Sequence, residues 1–203
     1  MIHHPPSHRT STRIALASFL VLLGLTSRAL AHPGHGLAES FTGGISHPFT
    51  GLDHLAAMTA VGVWASLQSN KSMFAILGSF ITAMVAGALV GFYLGPIPGL
   101  EQFIAMTVLV IGLLVATVKV VPASVGVVVA TLFAVFHGIA HGAETPFNAQ
   151  GLQFGAGFLT STALLLLTGV VIGKFASRHS KAAVSSLGWA TVACSLALLM
   201  AMG

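Results

Sequence analysis

The sequence predicts an all-α membrane protein, a bundle of six transmembrane helices behind a cleaved N-terminal signal peptide. Two observations carry that expectation. Only 6% of the 203 residues are charged and 55% are hydrophobic, with a mean hydropathy of +0.94, whereas a soluble domain carries about 25% charged residues. The apolar residues also fall into blocks near the ~20 residues that a helix needs to cross a ~30 Å hydrocarbon core. A soluble fold, a disordered chain and a nucleic-acid binder are excluded by the shortage of charge. Of eight Lys and Arg, three (Arg9, Arg13, Arg28) lie in the predicted signal, which leaves five basic against four acidic residues and no basic patch. The single cysteine, Cys194, excludes an internal disulfide and a thiolate cluster.

The first element is the signal, 1–31. A polar stretch holding Arg9 and Arg13 precedes a twelve-residue apolar run, Ile14–Leu25, and Ala29-Leu30-Ala31 supplies the small-x-small cleavage pattern. Cleavage there leaves a six-span membrane domain, 32–203, beginning at His32.

Six spans follow, at 49–68, 72–94, 101–119, 123–142, 152–174 and 184–202, separated by short polar or Pro/Gly-rich segments. Charge sets their sidedness. With the mature N-terminus outside, the inner loops hold Lys71, Lys119, Lys174, Arg178 and Lys181. The outer segments hold Glu39, Glu101 and Glu144 with no Lys or Arg, a positive-inside pattern. That places the mature N-terminus on the outer side of the membrane. Trp64 and Trp189 near inner ends and Tyr93 near an outer end are read as interfacial aromatics. Gly87, Gly91 and Gly95 repeat every four residues, a face for close helix packing inside the chain or between copies in a homo-oligomer. Gly151, Gly155 and Ser161 offer a weaker version.

Ten histidines against four acids is the unusual number. The block His47-Pro48-Phe49-Thr50-Gly51-Leu52-Asp53-His54 opens the first span. Pro48 suits a first helical position, which puts His47 at the cap and Asp53 and His54 inside the helix. His47 and His54, seven apart, then share a face. Asp53 heads a strip of Ala56, Ala57 and Ala60 that directs it at a neighbouring helix, where a carboxylate at membrane depth calls for a partner and a function. The block Phe136-His137-Gly138-Ile139-Ala140-His141-Gly142-Ala143-Glu144 closes the fourth span. His137, His141 and Glu144 at i, i+4 and i+7 lie within about 60° of arc on one helix face. Two imidazoles and a carboxylate form a ligand set for a borderline divalent cation, nickel, cobalt or zinc. Both blocks fall at the outer side, so a site between the first and fourth spans is available. His32-Pro33-Gly34-His35 forms a third group, either a metal-capture arm or simply a polar terminus.

One interfacial histidine is ordinarily a hydrogen-bonded surface residue. Two clusters with accompanying acids exceed what helix-to-helix hydrogen bonding asks for. The methionines show no ligand spacing and read as apolar filling, Cys194 as a small buried residue, and His179 as a solvated member of the inner loop. Three functions stay open on these residues: a metal-ion permease, an intramembrane zinc-dependent hydrolase using the same ligands, and a metal-sensing or metal-storing membrane partner. No phosphate-binding loop is present, so an energy source would be a gradient or a partner.

At these blocks the sequence resembles the HupE/UreJ family of bacterial nickel and cobalt permeases. The residues that carry the likeness are His32-Pro33, His47-Pro48-x-x-Gly51-x-Asp53-His54, Gly62-x-Trp64-Ala65 and Phe136-His137-Gly138-x-Ala140-His141-Gly142-x-Glu144. The resemblance implies a secondary transporter, not an enzyme, that brings nickel across the inner membrane for hydrogenase or urease maturation. It implies the divalent ion as cargo with no prosthetic group, and His47, Asp53, His54, His137, His141 and Glu144 as the residues of its motifs. The related eight-span nickel/cobalt transporters have four residues between His and Asp-His; five stand here, which separates the chain from that group.

Overall fold

The computed structural model describes residues 40–145 and 148–202; the predicted signal and His32 and His35 lie outside the described residues. Seven helices follow in order: α1 (Phe41–Thr50), α2 (Leu52–Ser66), α3 (Asn70–Leu94), α4 (Leu100–Ala116), α5 (Ala123–Glu144), α6 (Ala149–His179) and α7 (Lys181–Met202). Among the described residues there is no strand. Four stretches, 70–94, 123–144, 150–179 and 181–202, are long and apolar enough to cross a membrane, and α4 is a shorter apolar helix. The chain is a multi-pass, all-helical membrane protein.

The beginning of the bundle departs from the expectation. Pro48 does not open a helix. Ser40 accepts from Gly43 N and starts α1 at Phe41, so Pro48 sits inside α1, and the break comes at Gly51, which is extended. Proline cannot donate to the carbonyl four residues back, here Gly44 O; the Ser161 hydroxyl of α6 lies 3.5 Å from that carbonyl, with its shorter contacts, 3.0 and 3.2 Å, to Phe158 O and Gly157 O of its own helix. Gly51 ends the ladder three residues later, and the Thr50 hydroxyl donates to His47 O at 2.7 Å. His47 therefore lies in the last turn of α1 and His54 in the first turn of α2, on two helix segments and not on one continuous face.

The other boundaries have local causes. Ser69 accepts from Ser72 N and opens α3. Gly95 and Gly99, at φ 69° and 81°, turn the chain between α3 and α4, a conformation glycine adopts without a Cβ penalty. Asn148 Oδ1 accepts from Gly151 N at 2.8 Å and opens α6. The expected inner loop at 177–181 is mostly helix. α6 runs through Lys174 to His179, and Ser180 alone, in extended conformation, separates it from α7 while its hydroxyl accepts from Ala183 N.

Packing rests on absent Cβ atoms. α3 lies along α5, α4 along α7, and α1 and α2 along α6. A Cβ on Gly87 would stand 2.3 Å from Val135 O, and one on Gly142 1.9 Å from Ala88 O, so α3 and α5 touch backbone to backbone from both sides. Gly62 and Gly169 do the same for α2 and α6. The Gly87/Gly91 face is thus filled within the chain, by α5, and is not free for a second copy. Gly95 and Gly155 meet nothing and serve no contact.

The core is centred on Met58, Trp64, Ile76, Phe80 and Met84. Trp64 corrects an expectation. It is 0% exposed, and its Nε1 donates to Lys119 O at 3.1 Å, because the α4–α5 connection folds over the end of α2. Gln68 completes that closure, donating to Lys119 O and accepting from Val121 N, both at 3.2 Å. Trp189 and Tyr93 are exposed, as interfacial aromatics would be. The α2–α3, α4–α5 and α6–α7 connections that carry the lysines close one end of the bundle. The first turn of α2 and the last turn of α5 meet at the other.

Candidate metal centre

At that second end, three imidazoles converge from three helices. His47 of α1, His54 of α2 and His141 of α5 each offer a ring nitrogen, and all three nitrogens lie within 4.8 Å of one another. His47 is half-buried and forms the mouth; His54 and His141 are buried. The Nε2 atoms of His54 and His141 face each other in direct contact. Two imidazole lone pairs cannot oppose each other unaided, so that contact requires a proton or a cation between the rings.

Asp53 sets the ring of His54. Its Oδ1 lies 2.8 Å from His54 Nδ1, close enough for an ion pair, although the contact is too bent to satisfy Nδ1 as a hydrogen bond. The carboxylate charge beside Nδ1 favours a proton on that nitrogen and leaves Nε2 free to act as a ligand nitrogen. Asp53 also stands in the first turn of α2, where a negative charge meets the positive end of the helix dipole. Gly51 allows the arrangement: a Cβ there would fall 2.6 Å from Asp53 Oδ1 and 2.9 Å from His54 Nδ1. The alanine strip is packed as expected in part, with Ala57 and Ala60 buried and Ala56 half-buried.

His137 is placed apart. It is 1% exposed, one turn deeper on α5, and lies outside the group of three. Its Nδ1 donates to Phe133 O at 3.0 Å, and its Nε2 has no partner among the described residues. A buried acceptor left unpaired costs about 1–3 kcal/mol. Glu144, three residues beyond His141, is exposed and also outside the group.

The sequence reading missed the wall. Phe158 of α6 lies against His141 (ring centroids 4.4 Å) and Phe154 against His47 (5.5 Å). The two rings are i, i+4 on α6, a spacing visible in the sequence but indistinguishable there from ordinary apolar packing. They make the surroundings of the imidazoles apolar, which strengthens every electrostatic contact at the centre.

The sequence profile of the family described as HupE / UreJ protein matches residues 20–198. The chain belongs to the HupE/UreJ family. The curated Protein HupE of Rhizobium leguminosarum bv. viciae is 38% identical over 167 residues, covering 82% of this chain and 86% of that protein. No solved structure matches it.

Proposed function

We propose that this HupE/UreJ protein is a permease that carries a divalent transition-metal ion, nickel first and cobalt second, across the bacterial inner membrane to supply metalloenzyme maturation. The observation that carries the reading is the facing pair of His54 and His141 with His47 at the mouth, three imidazoles with no thiolate. Imidazole ligands suit nickel, cobalt and zinc. The resemblance to the HupE/UreJ permeases favours nickel and cobalt over zinc.

In this reading the signal at 1–31 is removed and 32–203 is the working domain. α1 and α2 together form the first span, broken at Gly51, and α3 to α7 form the other five. The centre faces the periplasm. His32, His35 and the exposed Glu144 gather the hydrated ion at the mouth. The ion then exchanges water for His47, His54 and His141, with Asp53 offsetting its charge and His137 serving further in. Below the centre the buried Met58, Phe80 and Trp64 close the bundle, so passage requires helices to move, as in transporters built on broken helices.

Uptake into proteoliposomes tests the reading. Saturable accumulation of Ni²⁺, lost in Asp53→Asn and in His141→Ala, is the expected result. Purified protein that retains metal stoichiometrically yet accumulates none, or that hydrolyses a lipid or amide substrate, would replace the permease with the storage or hydrolase reading.

A further inference from the structure

We propose that the cation occupies two successive stations, an outer one on His47, His54 and His141 and an inner one on His54 and His137, with His54 shared by both. The inference rests on the transport reading and deepens it by separating histidines that the sequence groups together. Among the described residues His47, His54 and His141 form the group of three whose ring nitrogens lie within 4.8 Å of one another, and His137 is not part of it. His137 stands four residues before His141, a step of about 6 Å along α5 toward the bundle interior.

The state of His137 is what points to a ligand. A carbonyl oxygen only accepts, so the 3.0 Å contact with Phe133 O fixes the proton on Nδ1 and leaves Nε2 as a bare lone pair. That lone pair is fully enclosed and meets no donor among the described residues. Buried polar atoms are almost always paired, so an orphan acceptor in the tautomer that binds metals calls for a transient partner. A cation arriving from the outer station supplies one.

His54 is the residue that spans the two positions. Its ring centroid is 4.5 Å from that of His141 and 5.7 Å from that of His137. His47 has ring contacts with His54 and His141 at 5.7 and 5.0 Å, on the outer side. An ion that keeps its bond to His54 while His47 and His141 are exchanged for His137 moves inward without ever being stripped of imidazole. Beyond His137 the Phe80 ring, at 6.4 Å, marks the start of the closed core. The inner station is therefore the last one reached before the helices rearrange.

The test is to separate binding from movement in the full-length protein. Ni²⁺ binding is titrated in lipid nanodiscs and initial Ni²⁺ uptake is measured in proteoliposomes. The variants are His137→Leu, His137→Gln (which keeps a polar side chain in the same space and guards against a folding defect) and His47→Ala. The expected pattern is Ni²⁺ affinity within about threefold of wild type for both His137 variants, with uptake reduced tenfold or more. His47→Ala loses affinity itself. If the His137 variants lose affinity as much as His47→Ala does, all four histidines form one site and the relay is wrong. Unchanged uptake in them overturns it too. Wild-type protein that binds nickel but accumulates none overturns the transport reading beneath it, a result seen without any variant.

Discussion

Replacing Gly51 with alanine isolates the contribution of the Asp53–His54 pair. The backbone there has φ −107° and ψ 122°, ordinary extended values that alanine adopts freely. On backbone grounds the change stabilises the protein by about 0.4–1 kcal/mol through the unfolded chain. The added Cβ, however, falls 2.6 Å from Asp53 Oδ1 and 2.9 Å from His54 Nδ1, where ordinary contact begins at 3.4 Å. The carboxylate must retreat by about 0.8 Å and the imidazole by about 0.5 Å to restore that contact. The Asp53 side chain can swing, but only by leaving the 2.8 Å contact that orients His54. Loss of such an orienting carboxylate typically costs 10–100-fold in metal affinity, which corresponds to about 1.4–2.7 kcal/mol. Equilibrium Co²⁺ binding by absorption spectroscopy, beside a thermal melt, reads both effects. The expected outcome is a melting temperature at or above wild type with at least a tenfold weaker affinity. An affinity within twofold of wild type would refute the claim that Asp53 sets the His54 ring.

Three further outcomes follow from the same geometry. Gly142→Ala, whose Cβ would stand 1.9 Å from Ala88 O, forces α5 off α3 beside His141; it should lower thermal stability by about 1–3 kcal/mol and weaken Co²⁺ binding with it, whereas Gly155→Ala, which meets nothing within 4 Å, should leave binding unchanged. Trp64→Phe removes one of the two donors to Lys119 O and leaves that of Gln68; a melt should show a loss of about 0.5–1.5 kcal/mol for the one hydrogen bond, with Co²⁺ affinity untouched because the centre is at the other end of α2. Glu144→Gln, outside the three-histidine group, should raise the apparent KM for uptake at low Ni²⁺ while leaving equilibrium binding within about twofold.

Much of this molecule could be read from its residues, and the failures are as physical as the successes. The all-helical membrane fold follows from apolar blocks too long and too uncharged for anything else. The repeat of Gly87, Gly91 and Gly95 announced a close helix contact, and only the partner was open; α5 takes that place at Gly87 and Gly91, while a Cβ on Gly95 would meet nothing. The start of the first span went astray because Ser40 and Pro48 are both helix-start signals. The serine wins, and α1 packs at Gly44 directly on the α6 backbone, where a Cβ would stand 2.0 Å from Phe154 O, a tertiary contact that no local pattern contains. Trp64 looked interfacial by its position along the helix and is buried because the α4–α5 connection covers it. At the centre, the periodicity of His137, His141 and Glu144 gives a shared helix face but not depth. His141 meets His54, His137 lies one turn inward, and Glu144 emerges into the open. The aromatic wall of Phe154 and Phe158 has no sequence signature distinct from packing.

X-ray absorption at the nickel edge tests the central claim most directly. Protein loaded with one equivalent of Ni²⁺ in lipid nanodiscs should show three imidazole ligands in its multiple-scattering pattern, falling to two in His47→Ala. A first shell of oxygen atoms without imidazole scattering, or a pattern unchanged by His47→Ala, would contradict the assignment of His47, His54 and His141 as the ion's binding site.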